Sequence, residues 1–133
     1  MNDRGCRYST LFEAMCDDTL DLDDFPHDAH IGVAFVALRR HGFFEAAALL
    51  ARGIEAMSLR SRREVGFNAT ITLAFLCRVA ECMQEDADVD ATAFVSRVAE
   101  VLDKHALDPW YSFERLHSPL ARRVPLLPDR FVP

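Results

Sequence analysis

Apolar residues along this chain recur at helical spacing, and no segment alternates apolar and polar residues as a half-buried strand would. The most apolar stretch runs from Ala29 to Leu38, directly after Phe25-Pro26-His27-Asp28. A helix that is apolar all round belongs at the centre of a fold, so this segment is expected to be the central helix. Asp28 is its natural N-cap, and the helix should run to about Arg40 and stop at Gly42. Before it, residues 9–18 form a first helix with Ser9 as the cap and Leu11, Phe12 and Met15 on one face, followed by an acidic, irregular stretch to Pro26.

After the central helix the same period predicts a third helix from Phe43 to about Leu59, with Phe44, Ala47, Leu50, Ile54 and Met57 turned inward. Arg60-Ser61-Arg62-Arg63 reads as a solvated loop. A second strongly apolar helix extends from about Asn68 to Met83, with Asn68 as N-cap, and an acidic linker, Gln84 to Asp88, ends it. Asp90 caps a fifth helix through about His105, on the face Phe94, Val98, Val101 and Leu102. Short helices open near Ser112 and at Ser118-Pro119, where proline occupies the first helical position. The tail from Val124 to Phe131 has two prolines and cannot be helical, but it is apolar enough to lie as an ordered strap. The expectation is an all-α, single-domain bundle over residues 1–133, with about five main helices and an extended C-terminal tail.

With 133 residues, half of them hydrophobic, the chain can bury a core and is not of a disordered class. No apolar run reaches the roughly 18 residues of a membrane span, and the N-terminus lacks a signal-peptide layout, so a cytoplasmic protein away from membranes is expected. The net charge of −6 argues against nucleic acid as a partner. Lys104 is the only lysine, and with abundant alanine this suggests a GC-rich bacterial source. Cys6, Cys16, Cys77 and Cys82 form no C-x-x-C pair and read as free thiols.

Candidate chemistry gathers at the starts of the two apolar helices. His27 and His30 are three residues apart, a spacing that places them on one helix face, and the positive end of the helix favours neutral imidazoles there. Neutral imidazole suits general-base chemistry or a metal ion. Asn68 and Thr72 share a face one turn apart at the start of the other apolar helix, and Trp110 or Tyr111 supplies an aromatic nearby.

Three segments resemble a family of small bacterial helical proteins without an established activity. Its pattern has F-x-H-x-x-H running into L-A-W, then Y-H-E-T-I-T, then Y-Y-S-x-E-x-L-x-S-x-x-A-R with P-D near the end. Phe25, His27, His30, Ala34 and Phe35 fit the first, Thr70-Ile71-Thr72 the end of the second, and Trp110-Tyr111-Ser112 through Arg122 with Pro128-Asp129 the third. The resemblance implies positions along residues 10–130 and no reaction. Where its pattern has histidine and glutamate, this chain carries Asn68 and Ala69, which leaves two imidazoles, one short of the three protein ligands usual for catalytic zinc.

The expected function is therefore binding or conversion of a small metabolite in an apolar pocket between the two apolar helices. His27 and His30 are the candidate acid–base residues, Asn68, Thr72, Trp110 and Tyr111 would contact the ligand, and neither metal nor cofactor is called for. Two alternatives stay open. One is a metal-dependent enzyme in which Asp24, Asp28 or Cys77 joins the histidines. The other is a non-catalytic interaction module in which Phe43-Phe44 or the apolar tail buries against a partner or a second copy in a homodimer.

Overall fold

The structure, a computed structural model, describes residues 6–61, 66–83 and 90–130. The described residues are all-α: α1 Arg7–Cys16, a 3-10 turn at Leu22–Asp24, α2 His27–Arg40, α3 Phe43–Ser61, α4 Ala69–Met83, α5 Ala91–Val98, α6 Phe113–Leu116 and α7 Pro119–Arg123. None of these helices is long and apolar enough to cross a membrane. The basic loop residues Arg62 and Arg63, the linker Gln84 to Asp88, and Phe131 lie outside the described residues.

Helix α2 is the centre, as its composition requires. Ala29, Ile31, Gly32, Val33, Ala34, Phe35, Val36 and Ala37 are all buried, and α1, α3, α4 and α5 pack around them. Each large aliphatic or aromatic side chain so buried contributes about 1.5–3 kcal/mol. Contact with α1 is close because Gly32 has no side chain: a Cβ there would fall 2.2 Å from the Tyr8 ring. Gly53 does the same for α3, where Met15 fills the space. Helix α1 ends with Asp18 in the left-handed region, φ 60, so that the amides of Asp18 and Thr19 bond the carbonyls of Met15 and Ala14. This closes the helix as a Schellman motif.

Several local expectations change. Helix α1 begins at Arg7, capped by the Cys6 sulfur, and Ser9 is a buried residue within it. Helix α2 starts at His27 with Pro26 at the cap position and no capping side chain. Asp28 does not cap it, because the Asp28 carboxylate accepts hydrogen bonds from Arg7 (2.6 Å) and the Tyr8 hydroxyl (3.0 Å). In α3 the buried side chains are Ala46, Leu50 and Met57, with Ala47 and Ile54 partly buried, whereas Phe44 is 85% exposed. Neighbouring helical residues point about 100° apart, and Phe43 takes the inward direction. Helix α5 stops at Val98 rather than His105. The chain then turns repeatedly, leaving Leu102 buried and Val101 exposed, and the Asp103 side chain accepts the His105 amide at 2.8 Å in place of a helical carbonyl.

The strap is ordered to Arg130, but polar bonds hold it. Leu127 is 79% exposed and Leu126 only half-buried. The anchor is Thr70, itself 1% exposed, whose hydroxyl accepts the Leu126 amide at 3.0 Å and lies 2.9 Å from the carbonyls of Ala121 and Val124. Tyr111 donates to the Leu126 carbonyl, Arg115 to that of Leu127, and the Asp129 carboxylate accepts from the amide and hydroxyl of Ser112.

Two outcomes follow from this packing. Gly32→Ala should lower unfolding free energy by about 1–3 kcal/mol, since the Tyr8 ring must move; denaturant titration reads the loss. Thr70→Val keeps the volume but strands the Leu126 amide, so it should cost about 1–3 kcal/mol while Thr70→Ser costs less. Equal midpoints for the valine and serine variants would show that the hydroxyl does not hold the strap.

Candidate functional site

The described core divides into two apolar clusters. The larger surrounds α2, and a smaller one comprises Leu107, Tyr111 and Leu116, with Ile71, Ala74 and Trp110 against it. Between them lies a cavity of about 910 Å³. Ala34, Leu50 and Ile54 line it from the large cluster, and Leu107, Tyr111 and Leu116 from the small one. Ile71, Phe75 and Leu76 of α4 line it too, which explains an apolar helix with only Thr70, Leu76 and Val79 buried. Ile71 and Phe75 of α4 are partly buried, each with part of its surface open to the cavity.

His27, His30, Asn68, Thr72 and Tyr111 all border this cavity. Trp110 does not: its ring is covered by the Arg78 guanidinium 5.1 Å from the centroid, and Arg78 pairs with Glu81 at 3.1 Å. Asp24, Asp28 and Cys77 are likewise not among the lining residues. Among the described residues no group of three or more His, Cys, Asp or Glu side chains is arranged to hold a metal ion.

The cavity also gathers residues that sequence spacing did not single out. Four of the five histidines border it, His105 and His117 joining the α2 pair. Both come from the segment after α5, more than 70 positions from His27, where no local period connects them. His105 is bonded to the Asp108 carboxylate at 3.0 Å, and the His117 ring packs on Phe113 with centroids 4.3 Å apart.

Each polar group at the helix starts has a defined partner. His27 Nε2 bonds the Leu102 carbonyl, which can only accept. In the neutral ring the proton is therefore on Nε2, and Nδ1 carries the lone pair. His30 stacks on Phe25 with centroids 4.1 Å apart, and the His27 ring lies 6.3 Å away. Burial, and then the nearby His27, push the His30 pKa down from 6.5 to about 4, against weaker opposing effects of the Phe25 carbonyl and Asp28. His30 is thus neutral at physiological pH, and at that value it is too weak a base to match a reaction run near pH 7. Asn68 caps α4 through Oδ1 to the Ile71 amide at 2.9 Å, while its Nδ2 donates to the Leu116 carbonyl at 2.7 Å. Its amide is therefore spent on architecture, joining α4 to the end of α6. The Tyr111 hydroxyl is held by the strap, and burial raises its pKa.

No family model matches the chain, and neither does any curated protein or solved structure. The site is thus interpreted from its own chemistry.

The His30 environment has a consequence for stability. Its folded pKa lies below the value of 6.5 it has when unfolded, so the unfolded chain binds the extra proton first as pH falls. Stability from this group is full above about pH 6.5, declines between 6.5 and 4, and is lost below. The loss should reach about 3 kcal/mol. Proton NMR should show the His30 ring titrating near pH 4, and His30→Phe should flatten the stability curve between pH 4 and 6.5. A ring titrating at 6.5 would place His30 in water instead.

Proposed function

We propose that the protein binds a small metabolite with an apolar body and one polar end in the cavity between its two apolar clusters. The observation that carries this reading is the cavity: about 910 Å³ of mostly apolar wall, lined by His27 and His30 from the first turn of α2 and by Asn68 and Thr72 from the start of α4. That volume lies in the range of about 300–1,000 Å³ typical of small-molecule sites, which combine apolar walls with a few convergent polar groups. The positive end of a helix favours a carboxylate, enolate or phosphate as that polar end. The segments that resemble the small bacterial helical family support the same placement. Phe25, His27, His30, Ile71, Thr72, Tyr111, Ser112, Leu116 and Arg122 line this cavity, while Thr70 and Asp129 hold the strap.

Binding rather than turnover is the reading the histidines favour. His30 is held neutral and weakly basic, fit to exchange hydrogen bonds with a ligand. Acid–base conversion of the ligand rests on His27, whose Nδ1 lone pair is left available by the Nε2 bond to Leu102.

The uncharged dye N-phenyl-1-naphthylamine, whose emission rises in apolar surroundings, tests this. It should bind the wild-type protein with low-micromolar affinity, near −8 kcal/mol. Thr72→Trp, which fills the cavity from α4, should weaken it at least tenfold while the helical circular dichroism signal persists. Undiminished dye binding in a folded Thr72→Trp protein would place the apolar site elsewhere.

A further inference from the structure

Arg122 stands apart from the other cations of the cavity. It is half-buried in α7 and borders the cavity beside Gly66, Phe67 and Asn68, the residues that lead into α4. The Arg130 guanidinium, also at the cavity, donates to the Asp108 carbonyl at 2.8 Å, and Lys104 sits exposed at the surface. Arg122 makes no hydrogen bond or ion pair with any described residue. The acids that line the cavity form no ion pair with it. Asp108 is engaged by His105, the Asp103 carboxylate by the His105 amide, and Glu114 is exposed on α6. Glu55, on a small outer groove that Arg122 also borders, forms no ion pair with it.

The Arg122 stem is covered, but its guanidinium nitrogens stay accessible, so the head is free to bond a ligand group that enters the cavity. Its planar fork matches a carboxylate in two parallel bonds, a geometry that lysine cannot offer. The N-terminal end of α4 borders the same stretch of wall, so helix dipole and guanidinium favour one sign of charge in one place. From that point the wall is apolar through Ile71 and Phe75 toward Phe25 and His30.

Resting on the reading of the cavity as a small-molecule site, we infer that its ligand is an amphipathic monocarboxylate. Its carboxylate pairs with Arg122 at the start of α4, and its apolar body runs along Ile71 and Phe75 toward His30. The neutral His30 ring, stacked on Phe25, lets the far end remain uncharged.

Competition against bound N-phenyl-1-naphthylamine tests the carboxylate separately from the cavity, with decanoate and decan-1-ol as matched probes. Decanoate should displace the dye from wild-type protein at least tenfold more tightly than decan-1-ol, and added salt should narrow the gap. Arg122→Gln should reduce the decanoate-to-decanol preference about tenfold or more, and Arg122→Lys should restore part of it. Equal affinity of the two probes for the wild-type protein would overturn the inference. So would a folded Arg122→Gln variant that keeps the preference. If Arg122→Gln does not fold, the wild-type comparison and the lysine variant still decide. Failure of the dye to bind at all would instead remove the small-molecule reading beneath it.

Discussion

Helix α2 has no polar face, and the architecture answers that constraint. A helix buried on every side must be surrounded, and α1, α3, α4 and α5 supply the cover. Where they come closest, glycine gives way to a neighbour's side chain, Gly32 to Tyr8 and Gly53 to Met15. Such a helix can place polar residues only at its ends. Its first turn carries His27 and His30, and its last carries Arg39 and Arg40. The polar first turn is thus delivered to the margin of the core, where the C-terminal layer stands away from it.

Both apolar contact and hydrogen bonds hold that layer, with Ile71 and Ala74 of α4 packed against its small cluster. The C-terminal layer around Tyr111 is tied to α4 by the Thr70 hydroxyl and the Asn68 amide, and the Asp129 carboxylate ties the strap to Ser112 within that layer. The Ser112 bonds, above all that of its hydroxyl, hold the Asp129 carboxyl below its ordinary value of 3.8, so this tie persists to acid pH and is lost as pH falls through that lowered value. Polar pins fix a separation that collapsing apolar surfaces would otherwise close. The cavity remains between the two layers, with Ile71, Phe75 and Leu76 of α4 as part of its apolar wall.

The sequence made the fold class and the order of the helices legible because helical period is a local signal. It also brought out His27, His30, Asn68 and Thr72, since polar residues opening apolar helices are conspicuous. What escaped it depends on contacts across the chain. Asp28 has the residue type and position of a cap, but Arg7 and Tyr8 claim its carboxylate from another helix. Phe44 has the right hydrophobicity, and only packing shows that Phe43 occupies the inward direction. His105 and His117 reach the cavity from a run of turns and a helix end, which have no period to read. The strap was expected to be held by its leucines, whereas the buried hydroxyl that holds it sits more than 50 residues away.

A ligand held between the two clusters touches both walls at once, and intermolecular nuclear Overhauser contacts in the complex with N-phenyl-1-naphthylamine read this out. The dye should show contacts to the rings of Phe75 and His30 and to the methyls of Ile71 and Ile54, all of which line the cavity. Contacts confined to exposed side chains such as Phe44 and Leu127 would contradict that placement.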